Sequence, residues 1–117
     1  MAFALVSKME KLEKTIKYND LLHIYGSLLS EAQREIAKSY FEFDLSISEI
    51  AEEKNISRAA VEDAIKKSIS KLDQLEASLH ILENNKSIEE IIKDLDDETK
   101  NKIEKVLDSY GIWFVNR

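Results

Sequence analysis

The chain has 117 residues, room for one domain with a moderate core, and carries no proline, two glycines, no cysteine and 34% charged side chains. So few helix breakers, with no period-2 apolar runs of strand length, predict an all-α fold; the missing cysteines exclude disulfides and thiolate metal sites. The net charge of −6 is spread unevenly, +1 over residues 1–29, −2 over 30–72 and −5 over 73–117, which argues against indiscriminate nucleic-acid binding by the whole surface.

Residues 1–8 form a short apolar leader without periodic continuation; they lack the tripartite form of a secretion signal, and Met9 could itself be a start. From Leu12 onward, Ile16, Leu21, Leu22, Tyr25, Leu28 and Leu29 build the apolar stripe of a first helix, with Gly26 where a side chain would obstruct a neighbouring helix. Ser30 and Gln33 form a capping box for a second helix whose buried face is Ala32, Ile36, Ala37, Tyr40 and Phe41. Tyr40 and Phe41 could be a base-stacking platform, but their spacing with Ile36 and Ala37 favours the core. Phe43 and Leu45 are expected to plug the gap between this helix and Ile47.

Residues 47–67 read as a helix-turn-helix, the unit around which the chain is organised. Ser46 and Glu49 make a capping box for a short helix with Ile47, Ile50 and Ala51 inward. Asn55 tolerates the left-handed conformation that ends it, Ile56 is expected to anchor the turn in the core, and Ser57 caps the second helix. That helix buries Val61, Ala64 and Ile65 and turns Arg58, Ala59, Glu62, Asp63 and Lys66 outward, the face a recognition helix presents to a major groove. The candidate nucleic-acid residues are Ser57, Arg58, Ala59, Glu62, Lys66, Lys67 and Lys71, which over residues 57–71 give a local charge of +2.

The next turn-forming run is Asn84-Asn85-Lys86-Ser87, so the second helix is expected to continue for about 27 residues, some 40 Å at 1.5 Å per residue. Val61, Ile65, Ser68, Leu72, Leu75, Leu79 and Leu82 then form a heptad seam, covered either by the first helix or by a second copy of the chain. The candidate dimer seam is Ile65, Leu72, Leu75, Leu79 and Leu82. The chain thus divides into a helix-turn-helix domain with its long helix, residues 1–83, and a C-terminal helical extension, 84–117.

That extension opens on a third capping box, Ser87 with Glu90, and a short helix with Ile88, Ile91, Ile92 and Leu95 on one face. Asp96, Asp97 and Glu98 favour the start of a last helix with Ile103, Val106, Leu107 and Tyr110 on one stripe, ended by Gly111. Ile112, Trp113, Phe114 and Val115 make an apolar tail that packs back or anchors a partner, the former being favoured. The acids of residues 94–98 suit a solvated helix start better than a metal site, because EF-hand spacing and its glycine bend are missing. His23 and His80 read as ordinary structural or surface histidines. With no Gly-rich phosphate loop and no convergent carboxylate pair, the sequence offers no catalytic constellation, and no cofactor is expected.

The run Ile-Tyr-Gly-Ser-Leu-Leu-Ser-Glu-Ala-Gln-Arg at 24–34, followed by Leu-Ser-Ile-Ser-Glu-Ile-Ala-Glu-Glu-Lys-Asn-Ile-Ser-Arg at 45–58 and on to Lys67, resembles the YlxM family. These are small bacterial helix-turn-helix proteins similar to region 4 of sigma-70 factors, and the resemblance covers residues 9–83. It implies an accessory or regulatory role in signal recognition particle-dependent protein targeting, with nucleic acid, DNA or the particle's RNA, and the particle's GTPase as partners. The sequence departs from the basic recognition helices of sigma-like proteins at Glu62 and Asp63. A DNA-binding transcriptional regulator and a helical protein-interaction module without nucleic acid are the alternative readings. The expected setting is the cytoplasm, as a homodimer and with no membrane insertion, since no apolar run approaches the roughly 20 residues that span a bilayer.

Overall fold

Short-range helix signals place most of the chain. In the computed structural model, which describes the backbone of residues 2–109 and the side chains of 8–109, the elements run α1 (Ala2–Tyr25), a 3-10 turn (Gly26–Leu28), α2 (Glu31–Phe41), α3 (Ile47–Lys54), α4 (Arg58–Leu79), α5 (Ile81–Ile92) and α6 (Asp97–Asp108). The described residues contain no strand, and the fold is all-α. No described helix is long and apolar enough to cross a membrane. Tyr110 and Gly111, and the apolar run at 112–115, lie outside the described residues.

The core gathers on one face of α4. Val61, Ser68 and Leu72 are fully buried there, against Leu21 and Tyr25 of α1, Ala37 of α2 and Ile50 of α3. Each fully buried aliphatic side chain contributes roughly 1.5–3 kcal/mol relative to exposure. Ser68, the polar member of the apolar seam, sits in the principal helix pair, α2 with α4. Its hydroxyl donates to the Ala64 carbonyl at 2.8 Å and lies 3.4 Å from the Gln33 carbonyl. A short side chain with its hydroxyl satisfied by its own helix lets the α2 backbone approach closely, where a leucine would overfill the contact.

The ends of α1 and α2 differ from the sequence expectation. α1 starts at Ala2, so the apolar leader is helical, and its 24 residues are about 36 Å long against about 17 Å for the 11 of α2. The helix outruns what it packs on, which leaves Leu12 60% and Ile16 50% exposed, while Leu21, Leu22 and Tyr25 are buried. Leu28, in the 3-10 turn, is exposed as well. Ala32 starts the expected inner face of α2 but is exposed; Ile36, Ala37 and Phe41 carry the burial. A methyl added at Gly26 would meet Arg34 Cδ at 3.7 Å, ordinary contact, so no neighbouring helix requires glycine there. Between α2 and α3, Asp44 adopts the left-handed conformation (φ 55°) and the Leu45 amide bonds the Ser39 carbonyl at 3.0 Å. That turn brings Leu45 against the core and leaves Phe43 62% exposed, so Leu45 alone plugs the gap.

The long second helix stops earlier than its apolar seam suggests. α4 ends at Leu79 after 22 residues, His80 turns left-handed (φ 54°), and α5 begins at Ile81. The run Asn84 to Ser87 lies inside α5 rather than starting a helix, and the Ser87 hydroxyl donates back to the Glu83 carbonyl at 3.1 Å instead of capping. The cap of α5 comes from elsewhere in the chain. Glu76 Oε1 accepts from the Leu82 amide at 3.0 Å and Oε2 from the Glu83 amide at 3.1 Å, while the Tyr25 hydroxyl accepts from the Ile81 amide at 3.2 Å. Tyr25 in turn donates to Glu76 Oε1 at 2.7 Å. The helix so started packs on α1 and buries Leu82 in the core; the expected division at 83/84 falls within it. Along α5, Leu82, Asn85 and Ile92 are buried, whereas Ile91 is 72% exposed. α6 starts as expected, with the Asp96 carboxylate accepting from the Thr99 amide at 2.9 Å, a bond that holds this carboxyl below its ordinary pKa.

Burial and the hydrogen bond to Glu76 push the Tyr25 phenol from its ordinary value of 10 up to about 12. The folded chain therefore holds this proton more tightly than the unfolded chain. The resulting stability is fully present below pH 10 and is lost as pH rises through about 12. Tyr25→Phe orphans the Ile81 amide and should cost about 1–3 kcal/mol in urea unfolding near neutral pH. The variant should also lack this alkaline loss, which unfolding midpoints measured across that pH range would read.

Candidate nucleic-acid interface

The helix-turn-helix is built by three local devices. At the start of α3 the Ser46 hydroxyl accepts from the Glu49 amide and the Glu49 carboxylate accepts from the Ser46 amide, both at 3.1 Å. The bond from the Ser46 amide first, and then the Ser46 hydroxyl beside the carboxylate, hold the Glu49 carboxyl below its ordinary pKa. At the turn, Asn55 is left-handed (φ 55°, ψ 47°); the Ile56 amide bonds the Ala51 carbonyl at 3.0 Å and the Asn55 amide bonds that of Glu52 at 3.3 Å. This is a Schellman arrangement with asparagine where glycine is usual. The Ser57 hydroxyl then accepts from the Ala60 amide at 3.0 Å and starts α4. Ile56 remains 39% exposed, because the reversal runs along the surface; Ile50, Ala51 and Val61 make the core contact instead. Lys54 bonds Glu35 at 3.2 Å and ties the end of α3 to α2.

All seven candidate residues, Ser57, Arg58, Ala59, Glu62, Lys66, Lys67 and Lys71, are exposed, but they do not form one patch. At 3.6 residues per turn, Lys66 lies about 80° round α4 from Arg58, and Lys67 and Lys71 about 180° and 220°. Arg58 accordingly lines a groove of about 620 Å³ between α1, the α2–α3 connection and α4. Glu62 and Lys66 share a shallow depression with Tyr40, Ile47 and Ile65 that continues it. Lys67 and Lys71 face another hollow, with Leu28, Gln33 and Gln74. Lys67 also pairs with Asp63 at 3.0 Å, one turn away on the helix. Phe41 is buried beneath the groove and Tyr40, half-buried, meets its ring edge-on with centroids 5.0 Å apart. The wall opposite Arg58 carries Lys11 and Lys14 of α1, which the sequence reading missed. Their placement on the Tyr18 face of a helix was visible in the spacing; the neighbour that face would meet was not.

Residues 12–109 match the family described as "Putative helix-turn-helix protein, YlxM / p13 like". The chain belongs to this family. It is 40% identical over 99 residues to a UPF0122 protein of Fusobacterium nucleatum subsp. nucleatum, an alignment covering 84% of this chain and 96% of that protein. A UPF0122 protein of Clostridium kluyveri is 39% identical over 109 residues, 90% of this chain and 98% of its own. The UPF0122 protein YofM of Lactococcus lactis subsp. lactis is 40% identical over 87 residues, 71% and 78% of the two chains. The family match runs past residue 83, so α5 and α6 are part of the YlxM-type unit, beyond the span expected from the sequence motifs.

In this YlxM-family chain four of the five expected seam residues, Ile65, Leu72, Leu75 and Leu79, lie within about 80° of one another on α4. Ile65 and Leu72 are buried in the chain's own core and Leu75 packs against it; Leu79 is 53% exposed and Leu82 belongs to α5. The break at His80 puts Leu82 on α5. Around that break Glu76, His80 and Glu83 bring ligand atoms within 4.8 Å of one another. Capping accounts for the cluster: both Glu76 oxygens accept amides of α5, and His80 Nδ1 lies 3.0 Å from a Glu83 oxygen.

The left-handed Asn55 sets the angle at which α4 leaves α3. Asn55→Gly should be tolerated, whereas the β-branched Asn55→Val should cost about 1–2 kcal/mol, read as a lowered urea midpoint.

Proposed function

We propose that this protein is a non-enzymatic accessory or regulatory factor that binds nucleic acid, RNA or DNA, through the outer face of α4, and that it serves signal recognition particle-dependent targeting in the cytoplasm. The supporting observation is the exposure of all seven outward residues on a helix whose start is fixed by the Ser57 cap and whose entry angle is fixed by Asn55. The targeting role, with the particle's RNA or its GTPase as partner, rests on the resemblance of residues 24–34 and 45–67 to the YlxM family. Transcriptional regulation through the same face is the alternative, and binding to duplex DNA in preference to RNA would favour it.

Charge on α4 sets the strength of that binding. With Lys67 and Lys71 on the other side of α4, Arg58 and Lys66 could neutralise two phosphates, giving a log–log salt slope of about −1.8 on duplex DNA. Glu62→Gln with Asp63→Asn should raise affinity by removing two negative charges from this helix, with the slope unchanged. Arg58→Glu should weaken binding. Filter binding across a salt series checks all three, and indifference to every one of them would remove α4 as the binding face. Homodimerisation is proposed through Leu79, the one seam residue exposed to more than half, so Leu79→Glu should lower the sedimenting mass at tens of micromolar, an order of magnitude where a short seam pairs.

A further inference from the structure

Resting on the nucleic-acid reading above, we propose that the groove between α1 and α4 holds a single strand of nucleic acid, with Lys11 and Lys14 gripping its phosphates from the wall opposite Arg58. Charge is the first argument. Among the described residues, Lys17, Lys38, Lys54, Lys67, Lys93 and Lys102 are each paired with a carboxylate. Among the described residues Lys11, Lys14 and Arg58 have no ion pair, as is also true of Lys8, Arg34, Lys71, Lys86, Lys100 and Lys105 elsewhere, and these three line one groove; Lys66, also unpaired, lies on its continuation past Tyr40 and Ile47. The acids of α1 turn away. Round a helix of 3.6 residues per turn, Lys11 and Lys14 lie within about 40° of Tyr18, whereas Glu10 is about 80° and Glu13 about 140° from it. Two acids, Asp44 and Glu49, also line the groove and bring its net charge to +1 against the three cations, with the Glu49 carboxylate turned to the Ser46 amide at 3.1 Å.

The second argument is shape and lining. The groove is bordered by Tyr18, Tyr40, Phe41, Ile47, Ile65 and Ile69. Rings and aliphatic side chains between two cationic rims match a strand with bases on one side and phosphates on the other, the pairing of stacking surface and charge that binds single strands without sequence readout. Helices that pack directly stand about 10 Å apart, and a duplex, whose major groove alone is about 12 Å wide, does not enter between them. An acidic amphipathic helix from another protein is the competing occupant. Continuity of the groove with the outer face of α4 favours the strand, because one ligand can then use Arg58 and Lys66 together with the α1 lysines.

Fluorescence anisotropy with labelled oligouridylate, oligothymidylate and a DNA duplex of matched length, over a salt series, tests the proposal. The full chain should bind both single strands more tightly than the duplex. Lys11→Ala with Lys14→Ala should weaken single-strand binding about tenfold and flatten the log–log salt slope by about 1.4, the value for two lost phosphate contacts. Lys100→Ala with Lys105→Ala, the same charge change on α6, should do neither. Tyr40→Leu, which keeps the apolar packing and removes the ring, should weaken both single strands with no change in slope. If the α1 pair behaves like the α6 pair while Arg58→Ala weakens binding, the groove is overturned and the α4 face stands. Tighter binding to duplex than to either strand overturns it equally. A Glu/Leu amphipathic helical peptide that outcompetes both strands, and loses its binding in the α1 variant, assigns the groove to a protein helix. No binding to any of the three probes overturns both this proposal and the nucleic-acid reading beneath it.

Discussion

The Glu76 carboxylate joins three helices at one point. It extends from α4, takes the Tyr25 hydroxyl of α1 at 2.7 Å and caps two amides at the start of α5. The left-handed His80 costs roughly 1–2 kcal/mol for a residue with a Cβ, and a helix N-terminus leaves amide donors that must find acceptors. Glu76 and Tyr25 together satisfy three of those amides, which offsets the strain and makes the break at His80 the favoured conformation. Without it α4 would run on and carry Leu82 away from the core in which it is now 4% exposed. The same contact fixes α1. Tyr18 donates to Asp73, with oxygens at 3.1 and 3.2 Å, and Tyr25, further along α1, meets Glu76, further along α4, so two contacts in the same order tie the helices together. Burial, then the charge of Asp73, raises the Tyr18 phenol as well, so this contact too is made by the protonated ring.

That geometry explains what could be read in the sequence. The capping boxes at Ser30 and Ser46, the Asn55 turn and the Ser57 cap each join residues within a few positions of one another, and each forms as read. The start of α5 was not legible, because its acceptors lie elsewhere in the chain. Glu76 is six residues before Leu82, and Tyr25 is 56 before Ile81. Local composition pointed the other way: Asn84, Asn85 and Ser87 are poor helix formers that favour turns, yet here a helix started by distant groups carries them through. Periodicity likewise marked Ile65 and Leu72 as apolar contacts, correctly, but cannot say whether a partner residue belongs to the same chain.

The interface was legible in part for the same reason. Helical phase showed that Arg58, Glu62 and Lys66 face outward, and they do. A run of exposed side chains covering 220° of a helix is nevertheless two surfaces, and the chain packs different neighbours beside each. Lys67 and Lys71 fall on the side of the 3-10 turn and α2, and Arg58 on the side of α1. Counting four cations on one helix therefore overstates what one ligand can meet there, while ignoring α1 understates it.

A net charge of −6 and the proposed nucleic-acid interface are compatible once distance is considered. At physiological ionic strength charges separated by more than about 8 Å are largely screened, so a phosphate responds to the cations beside it and hardly to the sum. Six lysines are neutralised by carboxylates a few ångströms away, and the largest acidic excess, −5, belongs to residues 73–117, outside the helix-turn-helix. Acid elsewhere acts at longer range and lower salt, where it disfavours approach by faces that lack unpaired cations. An acidic chain with few unpaired cations on any one face thus gains orientation at the expense of affinity. Under the proposed function, that balance suits a factor that joins an assembly through several weak contacts better than one that holds a duplex site alone.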